Sequence, residues 1–176
     1  MMAVVQAHEF PGVSFRPMTL SDVPVVLDLE RATYPHPWSE SIFFDELGMD
    51  DRVYLVAEHE GRLVGFAGLM LVEGDAHVTT LAVEQQNRRG GLGTRLMVEL
   101  IEAGLARGAR NLTLEVRSSN AGAQRLYTRF GMVAVGVRKH YYRDDDAVIM
   151  WATDIDQPDY TDRLIQIRAG LEERNE

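Results

Sequence analysis

Nine consecutive residues, Asn87-Arg88-Arg89-Gly90-Gly91-Leu92-Gly93-Thr94-Arg95, combine glycines and arginines with no carboxylate among them. The glycines let backbone N–H groups face outward without Cβ obstruction, and an apolar helical pattern begins directly afterwards. The N-terminal dipole of that helix adds to the exposed N–H groups, which makes an anion site suited to phosphate. Two familiar nucleotide loops do not fit. No Gly-Lys-Ser/Thr follows, and Leu96 stands where the dinucleotide fingerprint needs its third glycine. A strand–helix turn with solvated arginines is the plainer account of the same residues. The second chemical candidate is Glu115, between Leu114 and Val116 on a run otherwise suited to burial. A carboxylate there is costly unless it is paired or used. Pairing with Arg117 and service as a base are both open on the residues alone.

Elements on either side must position these groups. Val13–Met18 reads as a strand, and Thr19-Leu20-Ser21-Asp22 offers caps for a helix with apolar Val23, Val25, Val26, Leu29 and Ala32. Tyr34-Pro35-His36-Pro37-Trp38 breaks that helix, and Ser39 caps a short second one carrying Ile42, Phe43 and Leu47. Val53–His59 and Leu63–Leu71 form a hairpin around Glu60-Gly61-Arg62; Gly74-Asp75 turns into a strand over His77–Val83. Leu92, Leu96, Met97, Leu100, Ile101 and Leu105 recur at helical spacing, with Gly108 as C-cap. Asn111–Arg117 reads as a buried strand and Asn120–Phe130 as a helix closed by Gly131. Met132–Arg138 and Ala147–Ile155 are the last strands, flanking Arg143-Asp144-Asp145-Asp146, which reads as a solvated hairpin tip without calcium-loop spacing. This order implies an α/β sheet of mixed direction. The expected division is a leader over 1–12, a domain over 13–155 and a helical tail over 156–176. In the tail, Leu164, Ile165, Ile167 and Leu171 make a narrow stripe that packs on the body or meets a protein partner.

Composition narrows the classes. The chain's 176 residues suit one domain of ordinary size, and 45% hydrophobic with 26% charged is neither a disordered nor a membrane profile. The absence of cysteine removes disulfide scaffolds, Cys-ligated metals and thiol nucleophiles, and fits a reducing cytosol. A net charge of -9 argues against direct nucleic-acid binding and fits a basic partner or simple solubility. The N-terminus lacks a basic leader and no run reaches the ~20 apolar residues of a membrane span, so a cytoplasmic protein without membrane association is expected. His36, His59, His77 and His140 show no metal-ligand spacing, so no metal is expected.

Arg88-x-x-Gly91-x-Gly93 after Leu81-Ala82-Val83 resembles the coenzyme A signature of the GNAT N-acetyltransferases, departing from close relatives at Gln85 and Asn87. The resemblance continues through Leu114-Glu115-Val116-Arg117-Ser118-Ser119-Asn120-Ala121, Leu126-Tyr127, Phe130-Gly131, Gly136-Val137-Arg138-Lys139-His140-Tyr141-Tyr142 and Asp146-Ala147-Val148-Ile149-Met150. It also includes Pro37-Trp38-Ser39. From Ser14 to Ala152 the chain is similar to the RimI-type branch of that family, the ribosomal-protein-alanine N-acetyltransferases.

The resemblance implies a GNAT acyltransferase fold: a mixed, mostly antiparallel central sheet flanked by helices, with the tail as a C-terminal helical extension. It implies acetyl-CoA as co-substrate. The pyrophosphate would lie on Arg88, Arg89, Gly90, Gly91, Leu92, Gly93 and Thr94, and the pantetheine arm along Leu81, Ala82 and Val83. Strand amides near Val83 would polarise the carbonyl. Asn120 matches a coenzyme-contacting position and is equally a plain N-cap. Glu115 would be the general base, and Tyr127, otherwise a core aromatic, would protonate the departing thiolate and contact the coenzyme. The implied acceptor is the basic N-terminal segment of small-subunit ribosomal protein eighteen, acetylated at its alanine by direct attack in a ternary complex. An α-amine titrates about 2.5 units below a lysine, so its deprotonation at neutral pH costs roughly 3 kcal/mol less and a modest carboxylate base suffices. Asp22, Asp28, Glu30, Glu40, Asp45, Glu46, Asp50, Asp51, Glu58 and Glu60 against only Arg31 and Arg52 suggest an acidic wall for that segment. Broader action on other N-termini, lysines or small amines is the alternative, followed by a non-catalytic acyl-CoA-binding regulator.

Overall fold

Over residues 12–173, which the computed structural model describes, the strands are β1 (Val13–Pro17), β2 (Arg52–His59), β3 (Arg62–Val72), β4 (Asp75–Val83), β5 (Asn111–Arg117), β6 (Val133–Arg138) and β7 (Ala147–Ala152). The helices are α1 (Val23–Thr33), α2 (Glu40–Leu47), α3 (Leu92–Ala106), α4 (Ala121–Arg129) and α5 (Pro158–Glu172). All seven strands join one sheet in the order β1-β2-β3-β4-β5-β7-β6, antiparallel throughout except where β4 meets β5. The leader expected over 1–12 lies outside the described residues apart from Gly12.

Local sequence explains most of the strand register. Glu60 (φ 51°) and Gly61 (φ 74°) link β2 to β3, and Glu73 (φ 50°) with Gly74 (φ 94°) link β3 to β4. Two consecutive left-handed residues give the turn whose twist matches the flanking strands, which pins both hairpins. The second turn sits one residue earlier than Gly74-Asp75 suggested, so β4 begins at Asp75. At the far end β7 stops at Ala152 rather than running to Ile155; Asp154 (φ 56°) turns the chain out of the ladder.

The sheet separates two cores. On one face α3, α4 and α5 cover Ala76, Val78, Val83, Leu112, Leu114 and Val116, with Leu96, Leu100, Ile101 and Phe130 fully buried. On the other, α1 and α2 cover Tyr54, Val56, Phe66 and Ala82 through Val26, Leu27 and Phe43. The tail helix docks on the first face. Tyr160, Leu164, Ile167 and Leu171 are buried, the Tyr160 hydroxyl donates to the Phe130 carbonyl at 2.8 Å, and Arg168 reaches Glu99 (3.2 Å) and Glu102 (2.5 Å) on α3. Ile165, expected in the stripe, faces outward, and Tyr160 takes its place one turn earlier. The stripe is thus covered by this chain's own body.

Candidate active site

The parallel ladder between β4 and β5 consists of Asp75↔Asn111, Ala76↔Leu112 and His77↔Thr113, and ends there. Beyond that rung, β5 stays paired with β7 up to Arg117↔Ala147, while β4 stays paired with β3 up to Val83↔Gly65. The two strands part, and a wedge opens in the middle of the sheet. A bulge sits at the parting point. Leu69 pairs with Val78 but Gly68 with Thr80, so Thr79 is the extra residue. The bulge exchanges the faces of β4, placing Val78 in the α3 core and Ala82 in the α1 core.

The backbone of β4 along the wedge is held by side chains. The Tyr34 hydroxyl, at the end of α1, donates to the Leu81 carbonyl at 2.5 Å and receives the Leu81 N–H at 3.4 Å. Burial pushes that hydroxyl above its ordinary range. Arg88 donates through Nε to the Val83 carbonyl at 2.9 Å. Arg88 therefore supports the strand end as well as bordering the glycine turn. Ala82 between them is buried in the α1 core, so it offers backbone rather than side chain to a ligand.

The glycine turn follows. Arg89 (φ 70°) and Gly91 (φ 82°) are left-handed, and Gly91 is the N-cap of α3, where no described side chain caps the first helical N–H groups. Those groups are the ones an anion satisfies. A Cβ on Gly91 would lie 2.6 Å from Leu171 of the tail helix, and one on Gly93 within 3.9 Å of Leu81, Val83 and Leu126. Arg88, Arg89 and Gly90 are exposed, whereas Leu92 and Thr94 are buried and the Thr94 hydroxyl accepts from Arg129 at 3.2 Å. Arg95, read with Arg88 and Arg89 as one basic island, is 6% exposed, and burial lowers its pKa. Arg129 takes its place beside the turn. Its spacing from the loop gave no signal, because α4 brings it there. Asn120 caps α4, with Oδ1 accepting the Ala123 N–H at 3.1 Å.

Glu115 faces the α1 side. Leu112, Leu114 and Val116 enter the α3 core, so strand alternation turns Thr113, Glu115 and Arg117 the other way. The Glu115 side chain is 12% exposed; Oε2 lies 2.9 Å from Nε2 of His77 and Oε1 3.6 Å from Arg138 of β6. The suggested partner Arg117 is instead tied to Asp144 at 2.8 Å and stacks on Tyr142 at 4.4 Å. Tyr142 donates to the Glu115 carbonyl at 3.3 Å, and burial raises its hydroxyl to about 12. Tyr127 comes from the opposite face, on α4 within the α3 core. Burial pushes its hydroxyl well above the ordinary phenol range, and nearby Tyr34 and Tyr142 add to the shift. It is therefore a protonated donor, and it has no hydrogen-bond partner among the described residues. A carboxylate on one side of the wedge and a protonated hydroxyl on the other are equipped to take a proton from one group and give one to another.

The segment after β6 is more ordered than a solvated tip. Asp145 accepts from the Ser119 hydroxyl (2.6 Å) and N–H (3.1 Å), and Asp146 from the His140 N–H (2.8 Å) and Lys139 (3.1 Å). Arg117 on Asp144, the Ser119 contacts on Asp145 and the His140 N–H on Asp146 hold all three carboxyls below the ordinary range. These ties set Tyr141 and Tyr142 beside the wedge. The expected acidic wall is thinner than its sequence. Asp22 and Glu58 pair with Arg16, Glu46 and Asp51 pair with Arg52, and Glu30 is buried under the Pro-Trp turn, accepting the Trp38 N–H at 3.0 Å. Trp38 packs on Phe43 with ring centroids 5.4 Å apart. A concavity of about 570 Å³ lies elsewhere, between β1, β2 and the end of α3. Its cations Arg16, Arg52 and Arg107 are already engaged by carboxylates or backbone carbonyls, so the wedge is the better chemical candidate. No described helix is long and apolar enough to cross a membrane.

The profile of the acetyltransferase (GNAT) family matches residues 23–132. A Bacillus subtilis (strain 168) protein provisionally named a ribosomal protein bS18-alanine N-acetyltransferase is 40% identical over 141 residues, covering 78% of this chain and 93% of its own. The Salmonella typhimurium ribosomal protein bS18-alanine N-acetyltransferase is 34% identical over 137 residues, 76% of this chain and 92% of its own. Among solved structures, the Escherichia coli ribosomal-protein-S18-alanine N-acetyltransferase superposes with a TM-score of 0.75 at 30% identity, covering 81% of this chain and 94% of that one.

Proposed function

The chain belongs to the GNAT acetyltransferase family, and from that premise we propose that it acetylates the N-terminal alanine of ribosomal protein bS18 by direct attack in a ternary complex with acetyl-CoA. The enzyme class is an N-acetyltransferase. The observation that carries the finer reading is the placement of Glu115 and Tyr127 on opposite faces of the wedge where β4 and β5 part.

In this reading acetyl-CoA supplies an activated thioester, with its pyrophosphate on the Arg88–Thr94 turn and its pantetheine along Leu81, Ala82 and Val83. The N–H groups at the start of α3, which no described side chain caps, and the glycine-lined approach from Val83 fit that occupant. Arg89 and Arg129 are the cations that border it, and Asn120 flanks it from the α4 cap. Glu115 takes the proton of the attacking amine, directly or through water. Tyr127, kept protonated by burial, donates to the departing sulfur. Tyr34 and Arg88 keep the β4 backbone in place as the amine approaches.

The acceptor enters from the α1–α2 face, past Tyr141 and Tyr142. Asp28, Glu40 and Asp45, which form no ion pair among the described residues, are exposed there and suit a basic N-terminal segment. The test is acetylation of a peptide with the bS18 N-terminus against the same peptide with a blocked N-terminus and a free lysine. Modification of the first alone supports the assignment, and equal rates on both replace it with the broader-specificity alternative.

A further inference from the structure

The sequence offered His77 no role, since its neighbours lack metal-ligand spacing. The structure sets it at the last rung of the parallel ladder, paired with Thr113, where β4 and β5 begin to diverge. Its neighbours Ala76 and Val78 enter the α3 core, so His77 shares the opposite face with Glu115, two residues past that rung. Nε2 of His77 lies 2.9 Å from Oε2 of Glu115, and the two side chains are 26% and 12% exposed.

The geometry points to His77 as a positioning residue that fixes the Glu115 carboxylate for catalysis. This rests on Glu115 being the general base. Glu115 is held at both ends of its carboxylate, but unequally. His77 is at hydrogen-bond distance from Oε2, whereas the Arg138 guanidinium is 3.6 Å from Oε1 and 55% exposed on an edge strand. The remaining groups around Glu115 do not compete for the carboxylate. Arg117 is committed to Asp144, Tyr142 donates to the backbone carbonyl of Glu115, and Tyr34 to that of Leu81. The 2.9 Å contact with His77 therefore favours one rotamer of Glu115, orients Oε1 for the amine or its bridging water, and keeps the carboxylate from swinging toward Arg138. Because β4 and β5 are separately anchored beyond the rung, this contact also spans the wedge at its apex. Only a side chain with a donor at the position of Nε2 can supply it. Glutamine reaches that position, and alanine leaves it empty.

The experiment compares His77→Ala, His77→Gln and Glu115→Gln as full-length proteins, with the double substitution His77→Ala/Glu115→Gln. His77→Ala is expected to lower kcat about 10- to 100-fold, the cost of a misplaced catalytic group, with the KM for acetyl-CoA and the melting temperature unchanged. His77→Gln is expected to restore most of kcat. In the Glu115→Gln background, removal of His77 is expected to cost nothing further, because the contact it served is gone. The second readout is independent of turnover. The imidazole resonances of His77 are expected to move in ligand-free Glu115→Gln. Wild-type kcat in His77→Ala, failure of His77→Gln to restore it, additive losses in the double variant, or unmoved His77 resonances would each overturn the inference. Wild-type turnover in Glu115→Gln would instead remove the general-base reading, and the inference with it.

Discussion

The two faces of the wedge are held by different physics. The face proposed to hold the acetyl donor, the donor face, is a continuous apolar core, with α3, α4 and the tail helix closing over Leu112, Leu114 and Val116, and Leu171 seated against the glycine turn. The face proposed to take the acceptor, the acceptor face, has a smaller core under α1 and α2 and is completed by charge and hydrogen bonds. Arg16 joins Asp22 and Glu58, Glu30 holds the Pro-Trp turn, and three aspartates fasten the segment bearing Tyr141 and Tyr142. The difference suits the two occupants. A donor of one fixed structure would be met well by a close-packed surface, and a peptide acceptor by side chains that can be exchanged without repacking a core.

The largest expected effect joins the faces rather than separating them. Glu115→Gln and Tyr127→Phe should each lower kcat by about 100-fold or more, from opposite sides, while leaving acetyl-CoA binding by calorimetry intact. Gly91→Ala should break the donor face alone. It forces alanine into a left-handed φ of 82° and sets a Cβ 2.6 Å from Leu171. Strain and overpacking together should cost about 3 kcal/mol in thermal unfolding and raise the KM for acetyl-CoA without changing the KM for peptide.

The acceptor face should yield to acid first. The Arg16 guanidinium, with the Thr19 N–H, lowers Asp22 from 3.8 to about 2. A depressed carboxyl adds stability that is fully present above its unfolded value and is lost as pH falls through the folded one. Asp22→Asn should therefore cost about 2 kcal/mol at neutral pH, and the gap should close between pH 3.8 and about 2. Denaturant titrations at several pH values check both. The smallest effect belongs to the exposed ties: Asp145→Ala should raise the peptide KM by about threefold and leave the acetyl-CoA KM unchanged.

Legibility in the sequence followed the same division. The donor side is built from neighbours in the chain, so the glycine turn, the amphipathic pattern from Leu92 to Leu105 and the Asn120 cap were all readable as local signals. Strand alternation likewise marked Glu115 as the odd carboxylate. The acceptor side is assembled over long separations. Tyr34 reaches Leu81, Trp38 reaches back to Glu30, and His77 meets Glu115 only because β4 and β5 are parallel neighbours. No spacing rule links those pairs. Charge counting also misled, since Arg16 and Arg52 engage Asp22, Glu58, Glu46 and Asp51 on the acceptor side, and burial hides Arg95 on the other. The tail stripe failed at one residue, Ile165, because helix rotation was set by Tyr160 meeting the Phe130 carbonyl.

The most direct test of the central claim is mass spectrometry of intact bS18 from cells lacking this protein, complemented with either the wild-type chain or Glu115→Gln. The account predicts an acetylated N-terminal alanine with the wild-type chain and a free amine with Glu115→Gln or with no complement. Acetylated bS18 in all three would contradict it.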